Sequence, residues 1–138
     1  MILADTSAWV EFDRATGSAV DQRLTELIAA DGQLAVTEPV VAEVAAGART
    51  DEREAALRRL LARARLLPFD SVTDFDGAVT VYRRCRQAGI TPRGLVGCMI
   101  AAVALRTGAA LLAQDADLAR IAHVVPLRLD RATVRPSS

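Results

Sequence analysis

The chain has 138 residues, 51% apolar and 25% charged, and its 17 basic and 17 acidic side chains leave a formal net charge of zero. This is the size and balance of one soluble domain, and it excludes a global positive field, so nucleic-acid binding would have to rest on a local Arg cluster and a metal. Every basic residue is Arg, which rules out P-loop, Schiff-base and phosphoaspartate-receiver or phosphatase chemistries that depend on a Lys.

Aromatic residues make up 4% of the chain, too few for a platform that stacks single-stranded bases. One histidine, His123, with Cys85 and Cys98 cannot supply the ligands of a structural zinc site, and each cysteine is expected as a buried free thiol. His123 itself reads as a surface or capping residue, a short helix away from the acids described below. The longest apolar stretch, Leu95 to Leu105, is shorter than the roughly 20 residues that cross a bilayer. With Asp5 where a secretory leader would be apolar, a cytoplasmic protein without membrane contact is expected.

In chain order, Met1 to Ala4 is a short apolar strand, and Asp5-Thr6-Ser7 offers capping side chains for a helix through Ala8 to Phe12. Ser18 to Ala30 has helical spacing through Val20, Leu24, Leu27 and Ile28. Leu34 to Val36 is a second strand, after which Thr37 is placed to cap a helix from Glu38 to Ala48, with Pro39 tolerated in its first turn. Asp51 to Arg65 is a charged amphipathic helix with Leu57, Leu60, Leu61 and Ala64 on one stripe, and Glu54 and Arg58 pair on its wet side. Leu66 to Phe69 is a third strand or extended piece. A helix from Thr73 to Ala88 ends at Gly89. Arg93 to Thr107 is apolar nearly all round and reads as a buried central helix; Ala109 to Ala113 is a strand, Asp117 to Ala122 a short helix, and Val124 to Leu127 a last strand. Arg135-Pro136-Ser137-Ser138 reads as a frayed tail beyond a single domain spanning 1–134. Short strands alternating with helices predict an α/β fold, a parallel sheet of four to five strands covered on both faces. Reactive groups in such folds collect beyond the C-terminal strand ends, where strand order reverses.

Four acids fall there. Asp5 follows the first strand directly, and Asp115 follows the Ala109 to Ala113 strand by one residue, so both carboxylates project from one edge. Glu43 lies about 60° around its helix from the stripe of Val40 and Val44, on the margin of the core, and Gly47 is expected to leave space over its carboxylate. Asp117 comes two residues after Asp115. Each acid has an ordinary structural reading: Asp5 and Asp115 as helix caps, Asp117 as a first-turn acid, Glu43 as a solvated side chain. Together, with no Lys nearby, they would repel unless a cation neutralised them. Oxygen-only ligands select Mg²⁺, with Mn²⁺ as the alternative, and point to metal-assisted phosphodiester hydrolysis.

Four segments carry a resemblance: Ile2 through Trp9 (ILADTSAW), Glu43 through Gly47 (EVAAG), Arg93 through Ala102 (RGLVGCMIAA), and Ala113 through Leu118 (AQDADL). In this order and spacing, over nearly the whole chain, the sequence resembles the PIN-domain family, specifically the VapC-type toxins of bacterial toxin-antitoxin pairs. The resemblance implies a three-layer α/β/α fold and a Mg²⁺-dependent endoribonuclease cutting tRNA or ribosomal RNA, homodimeric and held inactive by a VapB antitoxin. By position it makes Asp5, Glu43 and Asp115 metal-site acids, with Asp5 and Asp115 as direct ligands and Asp117 assisting. Thr6 or Ser7 would orient Asp5.

One position departs from that pattern. Where the family places an Asp before Cys98, this chain has Gly97, and a helical Gly costs about 1 kcal/mol relative to Ala. Two explanations are open: a small-residue seam of Gly97, Ala101, Ala104 and Gly108 for close packing, or a missing metal ligand that leaves the enzyme weak or inactive. The motif around Gly97 is otherwise intact, which favours a single substituted position. Among the arginines, Arg58, Arg59, Arg63 and Arg65, and Arg83, Arg84 and Arg86, read as solvated faces, whereas Arg93 precedes the central helix and is expected near the acids, able to hold an RNA phosphate. The competing function is a non-catalytic PIN-like module that binds antitoxin or RNA, which Gly97 favours. A homodimer is expected through the apolar residues Leu57, Leu60 and Leu61, which so small a domain would leave partly exposed.

Overall fold

The computed structural model describes residues 1–133. The tail expected at 135–138 lies outside them. The elements are β1 (Ile2–Ala4), α1 (Thr6–Asp13), α2 (Ala19–Ala29), β2 (Leu34–Val36), α3 (Glu38–Ala46), α4 (Asp51–Leu61), β3 (Arg65–Leu66), α5 (Thr73–Gln87), α6 (Leu95–Thr107), β4 (Ala110–Leu112) and α7 (Ala116–Ile121). The strands form one parallel sheet in the order β3-β2-β1-β4. Each connection between parallel neighbours passes through helix, and the helices flank the sheet as in a three-layer α/β/α fold.

The central strands are apolar on both faces, as a doubly covered parallel sheet requires: Leu3, Ala4, Leu111 and Leu112 are fully buried. Chain order runs outward from β1 through β2 to β3, and the chain then returns to place β4 on the other side of β1. The reversal therefore lies between β1 and β4. There Ala4 pairs with Leu112, and the Asp5 amide extends the ladder by donating to the Leu112 carbonyl at 2.9 Å.

Several expectations need correction. Val124 to Leu127 is not a strand: Val124 and Val125 turn, and Pro126 has no N–H to give a ladder. The fifth position beside β4 is taken by a single parallel bridge from Leu129 to Leu111, whose amide donates to Arg128 and whose carbonyl accepts from Asp130. Thr133 prolongs this edge with its side chain, which donates to the Leu111 carbonyl at 2.8 Å and accepts from the Ala113 amide. The third strand is only Arg65–Leu66, and the helix before it stops at Leu61, so the arginines near its end leave the helix. Thr37 precedes α3 as expected, but its side chain makes no cap bond and is wholly buried.

Helix packing also departs from the expected seam. A Cβ on Gly97 would meet only Leu118 Cδ2, at an ordinary 3.8 Å, so close packing does not require glycine there. The close approach is on α5, where a Cβ on Gly77 would lie 3.1 Å from Ala102 Cβ of α6. Gly89 ends the α5 turn with φ +84, as its position predicts. The α5–α6 pair is fastened at one end by Asp74, almost fully buried, which accepts from Arg106 Nε and Nη2 at 2.9 and 2.8 Å. Cys85 and Cys98 are buried free thiols in this same helix pair. Burial, reinforced by the neighbouring Cys85, pushes the Cys98 thiol up to about 11, so it stays protonated and unreactive.

Candidate active site

The strand order that places β1 beside β4 brings Asp5 and Asp115 to one end of the sheet. Asp5 caps α1 and Asp115 caps α7: Asp5 Oδ2 accepts from the Ser7 amide at 3.0 Å, and Asp115 Oδ1 accepts from the Asp117 amide at 2.8 Å. Capping uses one oxygen of each carboxylate and leaves the other, so the cap does not compete with a place in a cleft. Asp5, Glu43 and Asp115 line one cleft of about 380 Å³ together with Thr6, Ser7, Glu11, Gly97 and Gln114. Val10, Ile100 and Leu118 supply its apolar wall.

Ser7 is the hinge of this arrangement. Its hydroxyl donates to Asp5 Oδ2 at 2.6 Å and accepts from the Gln114 amide at 2.9 Å, joining the ends of β1 and β4 through one side chain. Thr6, by contrast, does not hold Asp5; its hydroxyl donates to Glu43 Oε1 at 2.6 Å and ties α1 to α3. Burial pushes the Asp5 carboxyl up to about 6; the Ser7 hydrogen bonds oppose the rise, and the charges of Asp115 and Glu43 add to it. Asp5 is only 4% exposed and accepts no hydrogen bond at Oδ1 among the described residues, so one oxygen of a buried carboxylate is left without a partner. The donor set consists of oxygens, which suits Mg²⁺ or Mn²⁺. The acids share the cleft without closing on a common centre: among the described residues, no three His, Cys, Asp or Glu side chains form a group set to hold a metal.

The model of the PIN domain matches residues 2–124. The chain is 40% identical over 129 residues to VapC ribonuclease Mb1587 of Mycobacterium bovis, covering 93% of this chain and 96% of that protein. It matches Ribonuclease VapC11 of Mycobacterium tuberculosis to the same extent. The chain belongs to the PIN-domain family, among the VapC-type ribonucleases. Its fold is similar to that of a chain in the crystal structure of VapBC2 from Rickettsia felis bound to a promoter DNA fragment, at TM-score 0.74 and 19% identity over 94% of this chain and 98% of that one. It is also similar to Mycobacterium tuberculosis VapC20, a toxin that cleaves the sarcin-ricin loop, at TM-score 0.65 and 23% identity over 93% of this chain and 99% of that one.

In this VapC-type chain Gly97 sits in the first turn of α6 and faces the acidic cleft, so a carboxylate there would enter it. Other expected residues lie elsewhere. Asp117 does not line the cleft: its Oδ2 accepts from the Arg93 amide at 3.2 Å and its Oδ1 lies 3.7 Å from Arg120 Nη2, so it fixes the loop ahead of α6. Arg93 is exposed beside that loop and is not part of the cleft wall. Gly47 does not clear space over the Glu43 carboxylate; a Cβ there would meet the Glu43 main-chain carbonyl at 3.3 Å at the end of α3. His123 is exposed on the turn after α7. Sequence reasoning missed Glu11 and Gln114. Glu11 stands one helical turn after Ser7 on α1, a signal present in the spacing, whereas Gln114 enters through its backbone amide, which no side-chain pattern reveals.

Proposed function

We propose that this chain is a toxin endoribonuclease of the bacterial cytoplasm, acting on tRNA or ribosomal RNA with one Mg²⁺ (or Mn²⁺), and weakened because α6 gives the cleft Gly97 in place of an acid. The observation that carries the reading is the convergence of Asp5, Glu43 and Asp115, from three different elements, on one cleft. Asp5 and Asp115 would hold the cation, which when bound supplies charge stabilisation at the scissile phosphate and an activated water. Ser7 holds Asp5 through Oδ2 with its amide and its hydroxyl and so leaves Oδ1 free for the cation. Glu43, exposed and steadied among the described residues by Thr6 alone, is placed to accept a proton at the cleft margin.

Partners follow from the same charges. A VapB-type antitoxin would insert a basic or amphipathic segment, with an Arg replacing the cation among the carboxylates and blocking metal and RNA together. A homodimer is proposed on a different face from the one expected. Leu57 and Leu61 are buried in the domain's own core and Leu60 packs against it, whereas Val72 at the N-cap of α5, Phe75 and Val79 on α5 and Leu95 on α6 are the most exposed of the large apolar residues that these two helices carry.

The decisive experiment incubates this chain and its Gly97→Asp form with total RNA, with and without Mg²⁺. Slow or absent cleavage by the first and Mg²⁺-dependent cleavage by the second are expected. If Gly97→Asp folds and still leaves RNA intact, the reading gives way to a non-catalytic module that only binds antitoxin or RNA.

A further inference from the structure

The acidic cleft has a neighbour of opposite charge. Val10 of α1 lines both it and a second cleft of about 490 Å³, whose other walls are Asp13, Arg14, Gly47, Arg49 and Arg53. The two clefts share α1 and α3. Helix α1 carries Ser7 and Glu11 toward the acids and ends at Asp13 and Arg14; α3 carries Glu43 toward the acids and ends at Gly47, with Arg49 just beyond. Arg53 is engaged, since its guanidinium pairs with Asp13. Arg14 and Arg49 are exposed and make no ion pair with any described residue. Their backbone positions are set by the C-cap of α1 and by the turn that follows α3, and among the described residues no carboxylate pairs with either guanidinium.

From this juxtaposition we infer that the Arg14–Arg49 cleft is the phosphate track of the RNA strand, holding backbone phosphates beside the one presented to the acids. The inference rests on the ribonuclease reading and adds to it the direction in which the strand leaves the site. An acidic cleft in a chain of zero net charge repels a polyanion, and a single cation in the cleft does not reverse that over several nucleotides. Two unpaired guanidiniums one side chain away supply the missing attraction, and their planar donors suit phosphate oxygens. The track reads phosphates, not bases, because the cleft wall holds no aromatic residue to stack a base.

The test measures binding of a fluorescein-labelled 20-nucleotide single-stranded RNA by anisotropy across a salt series, in Ca²⁺ so that affinity is read without turnover. The Arg14→Ala/Arg49→Ala protein is compared with the unaltered chain and with Arg83→Ala/Arg86→Ala, which removes equal charge from α5. Loss of two phosphate contacts should weaken binding about tenfold and flatten the slope of log Kd against log salt by about 1.4, at about 0.7 per contact on single strands. The α5 pair should change neither. Equal losses from both pairs would mean a diffuse field and overturn the track, as would an unchanged slope in the cleft variant. A synthetic acidic peptide whose binding, unlike that of the RNA, depends on Arg14 and Arg49 would overturn it in favour of a protein partner. Cleavage is scored separately on the Gly97→Asp background. RNA that binds through the track but is never cut sinks the ribonuclease reading alone, and cleavage that proceeds unchanged in KM without the two arginines sinks the track alone.

Discussion

Asp5 holds two roles that oppose each other energetically. As a cap it stabilises α1; as a buried carboxylate beside two other acids it costs the metal-free fold stability once ionised. Its pKa is raised from 3.8 to about 6, so the folded state binds the proton more tightly than the unfolded one. The associated stability is complete below the ordinary value and is lost as pH rises through about 6. Asp5→Asn keeps an acceptor for Ser7 and removes the charge. In chelator, thermal melts should show it more stable than the parent at pH 7.5, by at most about 3 kcal/mol, with the gap closing toward pH 4. Adding Mg²⁺ should raise the melting temperature of the parent and leave Asp5→Asn unmoved. A variant less stable at every pH would show that the cap, not the charge, dominates this residue.

At Gly97 the same logic runs in reverse. The open space beside Leu118 accepts an alanine, so Gly97→Ala should gain up to about 1 kcal/mol of stability through helix propensity and no cleavage. Gly97→Asp adds a negative charge to the first turn of α6, which the helix dipole favours, and to an acidic cleft, which disfavours it. Its stability should therefore depend on Mg²⁺ more steeply than that of the parent. A titration by differential scanning fluorimetry checks this, and equal Mg²⁺ responses of the two proteins would remove Gly97 from the metal site.

At the scale of elements, the α5–α6 pair depends on the Asp74–Arg106 clasp, which also reaches the Pro68 carbonyl from Arg106. Burial acts to raise the Asp74 carboxyl, but the Arg106 and Asp70 hydrogen bonds win and hold it below its ordinary value. Its stabilisation is present above pH 3.8 and is lost as pH falls through the lower folded value. Asp74→Ala leaves Arg106 without its carboxylate and should cost about 3 kcal/mol at pH 7 by urea denaturation, with the difference shrinking under acid. A cost that did not shrink with pH would point to lost packing at the start of α5.

What was legible in the sequence follows from how local each signal is. Asp5 and Asp115 were readable because a capping acid at once after a strand, or within three residues of its end, fixes which end of the sheet the carboxylate sits at, and parallel pairing does the rest. Asp117 was misplaced because two further residues along a helix turn about 200° and aim it at the opposite side, toward Arg93. The α4 leucines had a clear stripe, but a stripe does not say whether its own core or another subunit covers it; Leu57 and Leu61 turned out to be core. Gly77, where α5 meets Ala102, carried no local mark at all, since a helical glycine signals a close approach only once the facing residue is known.

The molecule as a whole sets a cleft lined by Asp5, Glu43 and Asp115 beside one lined by Arg14 and Arg49, and it carries three of its most exposed apolar side chains at and along α5. Val72 is 81% exposed and Phe75 51%, and Val79 stands a further turn along α5, so these side chains follow one another at helical spacing. Phe75 is anchored edge-on against Phe69 at 4.9 Å between ring centroids, so this surface is presented by a packed ring. If two copies meet there, each buries the same residues on its partner, as a twofold contact requires. Light scattering should then give twice 14.7 kDa for the unaltered chain, and Val79→Asp, which places two like charges across such a contact, should return the monomer without unfolding it. Because α5 is clasped to α6 at Asp74 on its inner side, circular dichroism of Val79→Asp should be unchanged. A monomeric mass already in the unaltered chain, independent of concentration, would remove the dimer, and a dimer that survives Val79→Asp would move it to another face.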